Sequence, residues 1–405
     1  MLFPTDEPQH STGPGAIVWR ADAGCPHGAG AHVAPIGDLR GLSSSSAPSL
    51  GSESAVGLQG PLAASVAPGG RVAVVGRPTG SSYAGAIALQ GRAGGAFAPI
   101  APQPRFGAPF AATNGYLGDL AVAGAAAGGR LQLQVERFYA AGFRRHVLLT
   151  AGPGVRLLTP ALDYRSDSVL VWEQGGSILA EYLPASGDPE APQRLAATGA
   201  NLRIAALLSD ERRATVAWSE QRGARTDVFM DRSATGVTFG KPRLMESFAN
   251  PHAIAPPAAS PSLIRLSTES VMLAWSSIVA GRWVIRTTAI DQDRVGPPTT
   301  TGSTDGDALL AALQPGPRAD AMLLWSEPTR GVGAAGSSLE QAIFAARGSR
   351  GNGSRIVFEA SEQLAPAGPN SEAAVGVDPD SDRAVAVWRE GQLLRYSVGP
   401  PAAEG

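Results

Sequence analysis

The sequence predicts an all-β fold assembled from repeated antiparallel units. Three observations lead there. Short apolar runs rich in Val, Ile and Leu recur along the chain, each bounded by Gly, Pro, Asp or Ser. Apolar stretches with helical periodicity over ten or more residues are nearly missing, and SSLEQAIFAARGS (337–349), the closest to one, reads as a strand after an insertion. Gly 50 and Pro 33 stand beside 43% hydrophobic residues, a mixture that suits many strands joined by tight turns and not disorder.

The units are marked by a tryptophan. Trp172, Trp218, Trp275, Trp325 and Trp388 each close a run such as SVLVW, ATVAW, VMLAW, AMLLW or AVAVW, about 46 to 63 residues apart. A second apolar run and a turn precede each, and further runs follow. Around Trp218 the order is LRIAALL, SDERR, ATVAW, SEQRGART and DVFMDRS, then VTFGKPRLM. The same order without Trp runs through LAASVAP, RVAVVGR and AIALQGR, and through DLAVAGA, RLQLQVERF and RHVLLTA, with Gly76 and Val135 in the Trp place. Four antiparallel strands per repeat of this length make a β-propeller blade, which buries its faces only by stacking on neighbours. The Trp is expected at the end of the second strand, wedged between blades.

On these repeats the chain resembles the broad β-propeller superfamily, and more loosely the sialidase-like and secreted bacterial propellers with a turn–AVAVW repeat. The resemblance covers residues 60–399 and implies a propeller of four-stranded antiparallel blades. Seven units fit that span, with six and eight blades as alternatives, because GAIVWR and AHVAPIG also read as strands. GH and WD dipeptides do not recur, so the WD40 pattern is not met. The string SDERRATVAW from Ser209 lacks the Gly of the sialidase Asp-box and spaces its Trp differently. Residues 1–59 read as an N-terminal segment with a closing strand and a Ser-rich loop, 60–399 as the blades, and 400–405 as a tail.

Composition restricts function. The net charge of -2 provides no basic field for nucleic acid. No apolar run is long enough for a transmembrane helix, and MLFPTDEPQHSTGPG is not built like a signal peptide. Cys25 is the only cysteine, so no intrachain disulfide forms, and Lys241 is the only lysine, a codon bias of GC-rich bacterial genomes. Location is open; similar bacterial propellers point outside the cytoplasm. A monomer without cofactor is expected.

Candidate chemistry is sparse. Glu173, Glu220, Glu327 and Glu390 follow four of the tryptophans and are expected in the turns after the second strands, on one face. Paired carboxylates about 5 Å or 6.5–9.5 Å apart cleave glycosides, whereas duplication of the repeat also produces such acids with no chemistry attached. ERFYAAGFRR places Arg137, Tyr139, Arg144 and Arg145 together, types that recognise planar or acidic groups. Asp378, Asp380 and Asp382 form a weak calcium pattern in which Arg383 and Arg389 stand where an EF-hand needs Gly and Glu. Cys25, His27 and His32 lack a fourth zinc ligand nearby. No nucleophile elbow, P-loop or dinucleotide fingerprint occurs. The expected function is a non-catalytic binding or scaffold propeller with a protein or glycan partner. The alternative is a carbohydrate-active enzyme using carboxylates on the channel face.

Overall fold

A computed structural model describes residues 15–21, 30–36, 54–55, 58–67, 71–78, 86–92, 95–100, 107–114, 120–125, 129–136, 143–149, 151–250, 261–267, 269–301, 307–316, 320–329, 340–350, 356–377, 384–390 and 393–398. Among them every regular element is a strand, and no helix is long and apolar enough to cross a membrane. The strands form eight antiparallel sheets of the propeller-blade type, divided between two compact units.

The first unit comprises Met1–Arg40 and Pro48–Ala196. Its first sheet joins β1 (Gly15–Ala21), β2 (Gly30–Ile36) and β3 (Ser54–Ala55). The N-terminal strands thus make a sheet of their own. The second sheet runs β4 (Leu58–Ala67), β5 (Arg71–Pro78), β6 (Ile87–Arg92), β7 (Phe97–Pro99). The third runs β8 (Gly107–Asn114), β9 (Leu120–Ala125), β10 (Leu131–Glu136), β11 (Phe143–Leu149). The fourth runs β12 (Val155–Leu162), β13 (Ser168–Gln174), β14 (Ser177–Leu183), β15 (Gln193–Ala197).

The second unit comprises Gly41–Ala47 and Ala197–Gly405. Its first sheet is β16 (Ala200–Leu208), β17 (Ala214–Arg222), β18 (Arg225–Arg232), β19 (Arg243–Ala249). Next come β20 (Ser262–Arg265), β21 (Ser270–Val279), β22 (Arg282–Asp291) and β23 (Arg294–Val295), with β24 (Thr299–Thr301) also on β22. Then follow β25 (Leu309–Pro315), β26 (Ala321–Pro328), β27 (Gln341–Arg350) and β28 (Ile356–Phe358), with β29 (Glu362–Gly368) also on β27. The last sheet is β30 (Asn370–Val377), β31 (Ala384–Glu390), β32 (Leu393–Val398). SSLEQAIFAARGS indeed supplies a strand, β27.

Second strands are buried on both faces, as their continuous apolar runs require. Val169 to Trp172 and Val271 to Trp275 are all enclosed. The two faces serve different neighbours. Leu170 and Trp172 pack with Ala121, Ala123, Leu131 and Leu133 of the preceding sheet. Leu273 and Trp275 do the same with Ala217, Val228 and Met230. Trp325 packs with Met272, Ala274 and Ile285, and Trp388 with Met322, Leu324 and Ile343. The wedge expected of the repeat Trp is therefore present for Trp172, Trp275, Trp325 and Trp388, in each toward the preceding sheet. Burying such a side chain is worth several kcal/mol, about 3–5 on truncation to alanine.

The Trp place in the sheets without Trp is half as expected. Gly76 does lie on the second strand β5, on the face of Val72 and Val74, which pack with Val33 of the preceding sheet. Val135 does not, because β10 is the third strand. The second strand there is β9, whose Val122 packs with Ala73 and Val75 of the preceding sheet. Gly124, two residues on, takes the Trp place. RLQLQVERF has the longer run and so reads as the inner strand, but the small residues of LAVAGA are what fit between two sheets.

Tight turns close the central hairpins. Gln174 pairs with Ser177 across Gly175 and Gly176, whose φ of 55° and 74° suit a type I′ turn. Val279 pairs with Arg282 across Ala280 and Gly281, and here Ala280 itself takes φ 51°.

Candidate functional site: the acids that follow the tryptophans

The four glutamates occupy the second strands themselves, not the turns after them. Each is paired in the ladder to the third strand: Glu173 with Ile178, Glu220 with Asp227, Glu327 with Ala342 and Glu390 with Leu393. The strands continue past the Trp because the hairpin closes further on.

Nor do the four share one position. Glu173 follows its Trp directly, so strand alternation sends it to the opposite face. Glu220, Glu327 and Glu390 stand two residues after theirs and share its face. Gln174 and Ser277 hold that second place in the other two repeats.

Every one of these acids is engaged inside its own sheet. Glu173, 2% exposed, accepts from Arg156 Nε at 2.7 Å and Nη2 at 3.1 Å, and from the Gly176 backbone N–H at 3.1 Å. Arg156 is its direct partner in the β12–β13 register. That guanidinium bond, with the Gly176 amide, holds the Glu173 carboxyl below its ordinary value against the opposing effect of burial. Glu220, 1% exposed, accepts from the Gly199 N–H at 2.7 Å and from Arg222 Nε at 2.7 Å. Glu327 accepts from Trp325 Nε1 at 2.8 Å, and Glu390 from Arg395 Nε at 2.5 Å. A buried acid must be matched by donors or it costs several kcal/mol, and the strand positions explain the donors.

The indole N–H groups follow a related rule. Trp172 Nε1 donates to Gln174 at 3.3 Å, as Trp325 donates to Glu327. Trp275 has Ser277 two residues on and donates instead to Glu246 of β19, at 2.6 Å. Trp218 Nε1 is enclosed without a hydrogen bond, since Glu220 is turned to Gly199 and Arg222. The Trp218 ring stacks on Phe229 at 5.4 Å, and Arg222 lies over the Phe229 ring at 5.8 Å.

One carboxyl stands apart. Glu181 of β14 is 6% exposed and sits opposite Leu170, on the face that carries Trp172. Burial pushes it up to about 7. Its sequence, SILAEYL, reads as an ordinary alternating strand; only the sheet stacked against it makes the position apolar. Arg156 was equally illegible, 17 residues from Glu173, whereas Arg222 lies two residues from Glu220 and could have been noticed.

Of the remaining sequence candidates, Arg137, Tyr139, Asp378, Asp380, Asp382, Cys25 and His27 lie outside the described residues. Arg144 and Arg145 belong to β11. Arg145 pairs with Val135 and Phe143 with Glu136, so Arg144 is the extra residue of a β-bulge. His32 pairs with Trp19 and Ala55. Among the described residues no group of three His, Cys, Asp or Glu could hold a metal ion.

No protein-family model matches the chain, and no curated protein matches it. Among solved structures the similarities are partial. A lectin of Aleuria aurantia in complex with α-methyl-L-fucoside is 14% identical, with 74% of this chain and 93% of that chain covered and a TM-score of 0.38. The hydrazine synthase of Kuenenia stuttgartiensis is 11% identical over 68% of this chain and 75% of its own, with a TM-score of 0.45. A puromycin-hydrolyzing peptidase of Mycobacterium tuberculosis is 13% identical over 84% of this chain, with a TM-score of 0.47, and the match spans 53% of that chain.

Proposed function

We propose that this chain is a non-catalytic binding module of the propeller type, with a glycan or a protein as partner. One observation carries the reading. The acids that the repeat supplies are each taken up by a donor of their own sheet, Arg156, Arg222 with Gly199, Trp325 and Arg395. Glycoside hydrolysis needs two carboxyl groups facing one bond, the acid of the pair with a raised pKa. Glu173 is moved the other way. Blades hold their loops on a rigid frame, and binding surfaces are made there by loop variation.

The test is a glycan array run beside a panel of chromogenic glycosides. The expected result is retention of a glycan with no turnover. Hydrolysis that Glu173→Gln or Glu220→Gln abolishes would overturn the reading in favour of a carbohydrate-active enzyme.

A further inference from the structure

One face of the sheet β16–β19 carries a polar group at the surface. Trp218, Phe229 and Leu244 form a cross-strand row on β17, β18 and β19, and Glu220, Asp227 and Ser247 form the row two residues on. Alternation along the strands puts both rows on one face. Leu244 reaches that face only through a bulge, with Met245 as the extra residue between the pairs Val228–Glu246 and Phe229–Leu244. Glu246 and Phe248 turn the other way, to Trp275 and Trp283. Bulges re-aim side chains in this manner and gather beside sites.

The acids of this face are used differently. Glu220 is enclosed and taken up by Arg222 and the Gly199 N–H. Asp227 is only half-buried, and Arg225, which pairs with Arg222 two residues further on, is exposed. Ser247 stands between them. Its Oγ accepts from Arg225 Nε at 2.9 Å and donates to Asp227 Oδ1. Arg225 Nη2 also donates to the Ser247 carbonyl at 3.0 Å. These bonds fix both charged side chains and leave Asp227 Oδ2 to accept and Arg225 Nη1 to donate. Asp227 Oδ2 is not among the enclosed atoms. Beside them Leu244 is 50% exposed.

We propose that this outer face binds a neutral saccharide, its C–H surface on Leu244 and two neighbouring hydroxyls on Asp227 and Arg225. One hydroxyl donates to Asp227 Oδ2 and the other accepts from Arg225 Nη1. Both bonds are charge-assisted, the stronger kind. The rows lie about 7 Å apart, two residues at about 3.4 Å each, within reach of one sugar ring and its hydroxyls. Ser247 holds the arginine and the aspartate in place beforehand, so less side-chain freedom is lost on binding. Trp218 stacks on the Phe229 ring and Arg222 lies over it, so Phe229 lends an edge and not a ring face. Glu220 with Arg222 and Asp227 with Arg225 sum to zero charge, which suits an uncharged polyol. Asp227 stands on β18, one strand inside the edge strand β19, so a peptide pairing with that edge would miss it. The inference rests on the binding-module reading above and names its ligand class.

The experiment is an array of neutral, sialylated and sulfated oligosaccharides probed with the full chain and with Asp227→Asn, Arg225→Gln, Leu244→Ser and Arg243→Gln. Melting curves verify that each variant folds. The expected result is binding to neutral glycans, weakened at least tenfold by Asp227→Asn and by Arg225→Gln, about threefold by Leu244→Ser, and unchanged by Arg243→Gln, an exposed residue whose strand partner Met230 lies in the opposite face. Arg225→Gln and Leu244→Ser alter exposed side chains and keep the test open if Asp227→Asn fails to fold. Glycan binding that survives Arg225→Gln and Leu244→Ser overturns this site and leaves the binding module standing. Binding restricted to sialylated or sulfated glycans overturns the neutral ligand. An array with no bound glycan overturns the site and the glycan half of the function together, leaving a protein partner.

Discussion

Two seams between neighbouring sheets solve one packing problem in opposite ways. Between β4–β7 and β8–β9 the buried contacts are Ala73, Val75, Ala86, Ala88, Ile100 and Val122, and Gly124 stands where other repeats have Trp. Between β16–β19 and β20–β24 the contacts include Trp275, Trp283, Phe248, Met230 and Leu273. Phe248 and Trp283 meet edge to face at 5.9 Å. Small side chains let two sheets approach closely; large ones hold them further apart and fill the space. Either closes the core, because interiors tolerate few voids. Stability, though, is concentrated where the aromatic area is.

The largest break in that contrast is Trp275→Ala. It opens a cavity and orphans Glu246, and is expected to cost about 3–5 kcal/mol in urea denaturation. Val122→Ala in the small-residue seam is expected to cost about 2 kcal/mol. Equal losses would show that the aromatic seam is not the stronger one.

A second prediction concerns Glu181, the acid on the aromatic face of the fourth sheet. Its carboxyl titrates near 7 when folded, against an ordinary value of 4.5. Below 4.5 both folded and unfolded chains keep the proton, and no penalty exists. Between 4.5 and 7 only the folded chain keeps it, so stability falls as pH rises. Above 7 the full penalty applies, about 3 kcal/mol at most. Glu181→Gln is therefore expected to raise the denaturation midpoint at pH 8.5 and leave it unchanged at pH 4. A gain of the same size at both pH values would assign the effect to packing.

The smallest effect belongs to the hairpin of the Trp275 sheet. Ala280 holds a left-handed φ of 51°, which costs a residue with a Cβ about 1 kcal/mol or more. Ala280→Gly is expected to stabilise by about 1 kcal/mol, and a loss on substitution would show that the turn is not strained.

The strands and the Trp wedge were legible because both are local: a short apolar run, a bounding turn, an aromatic at a fixed place. The Trp-less repeats were legible only in part. Gly76 was found from its own run, but the equivalent in β9 was missed, since nothing nearby tells LAVAGA from RLQLQVE as the enclosed strand. Of the site, residue types were readable and partners were not. The Arg156–Glu173 pair depends on strand register, and the Trp275–Glu246 bond joins residues 29 apart that meet only when two sheets stack face to face. Glu181 shows the same limit, as an ordinary strand glutamate whose surroundings are set by another sheet.

The placing of the tryptophans has a spectroscopic consequence. Every indole from Trp172 onward belongs to β13 or a later strand, and none occurs between Trp19 and Trp172. The second and third sheets, β4 to β11, therefore carry no tryptophan of their own, and the third is sensed through Trp172, which packs on Ala121 and Ala123. An unfolding curve followed at the tryptophan band reports the seams that hold an indole, while melting that starts among the small residues of β5 passes unseen unless the backbone is watched by circular dichroism or hydrogen exchange.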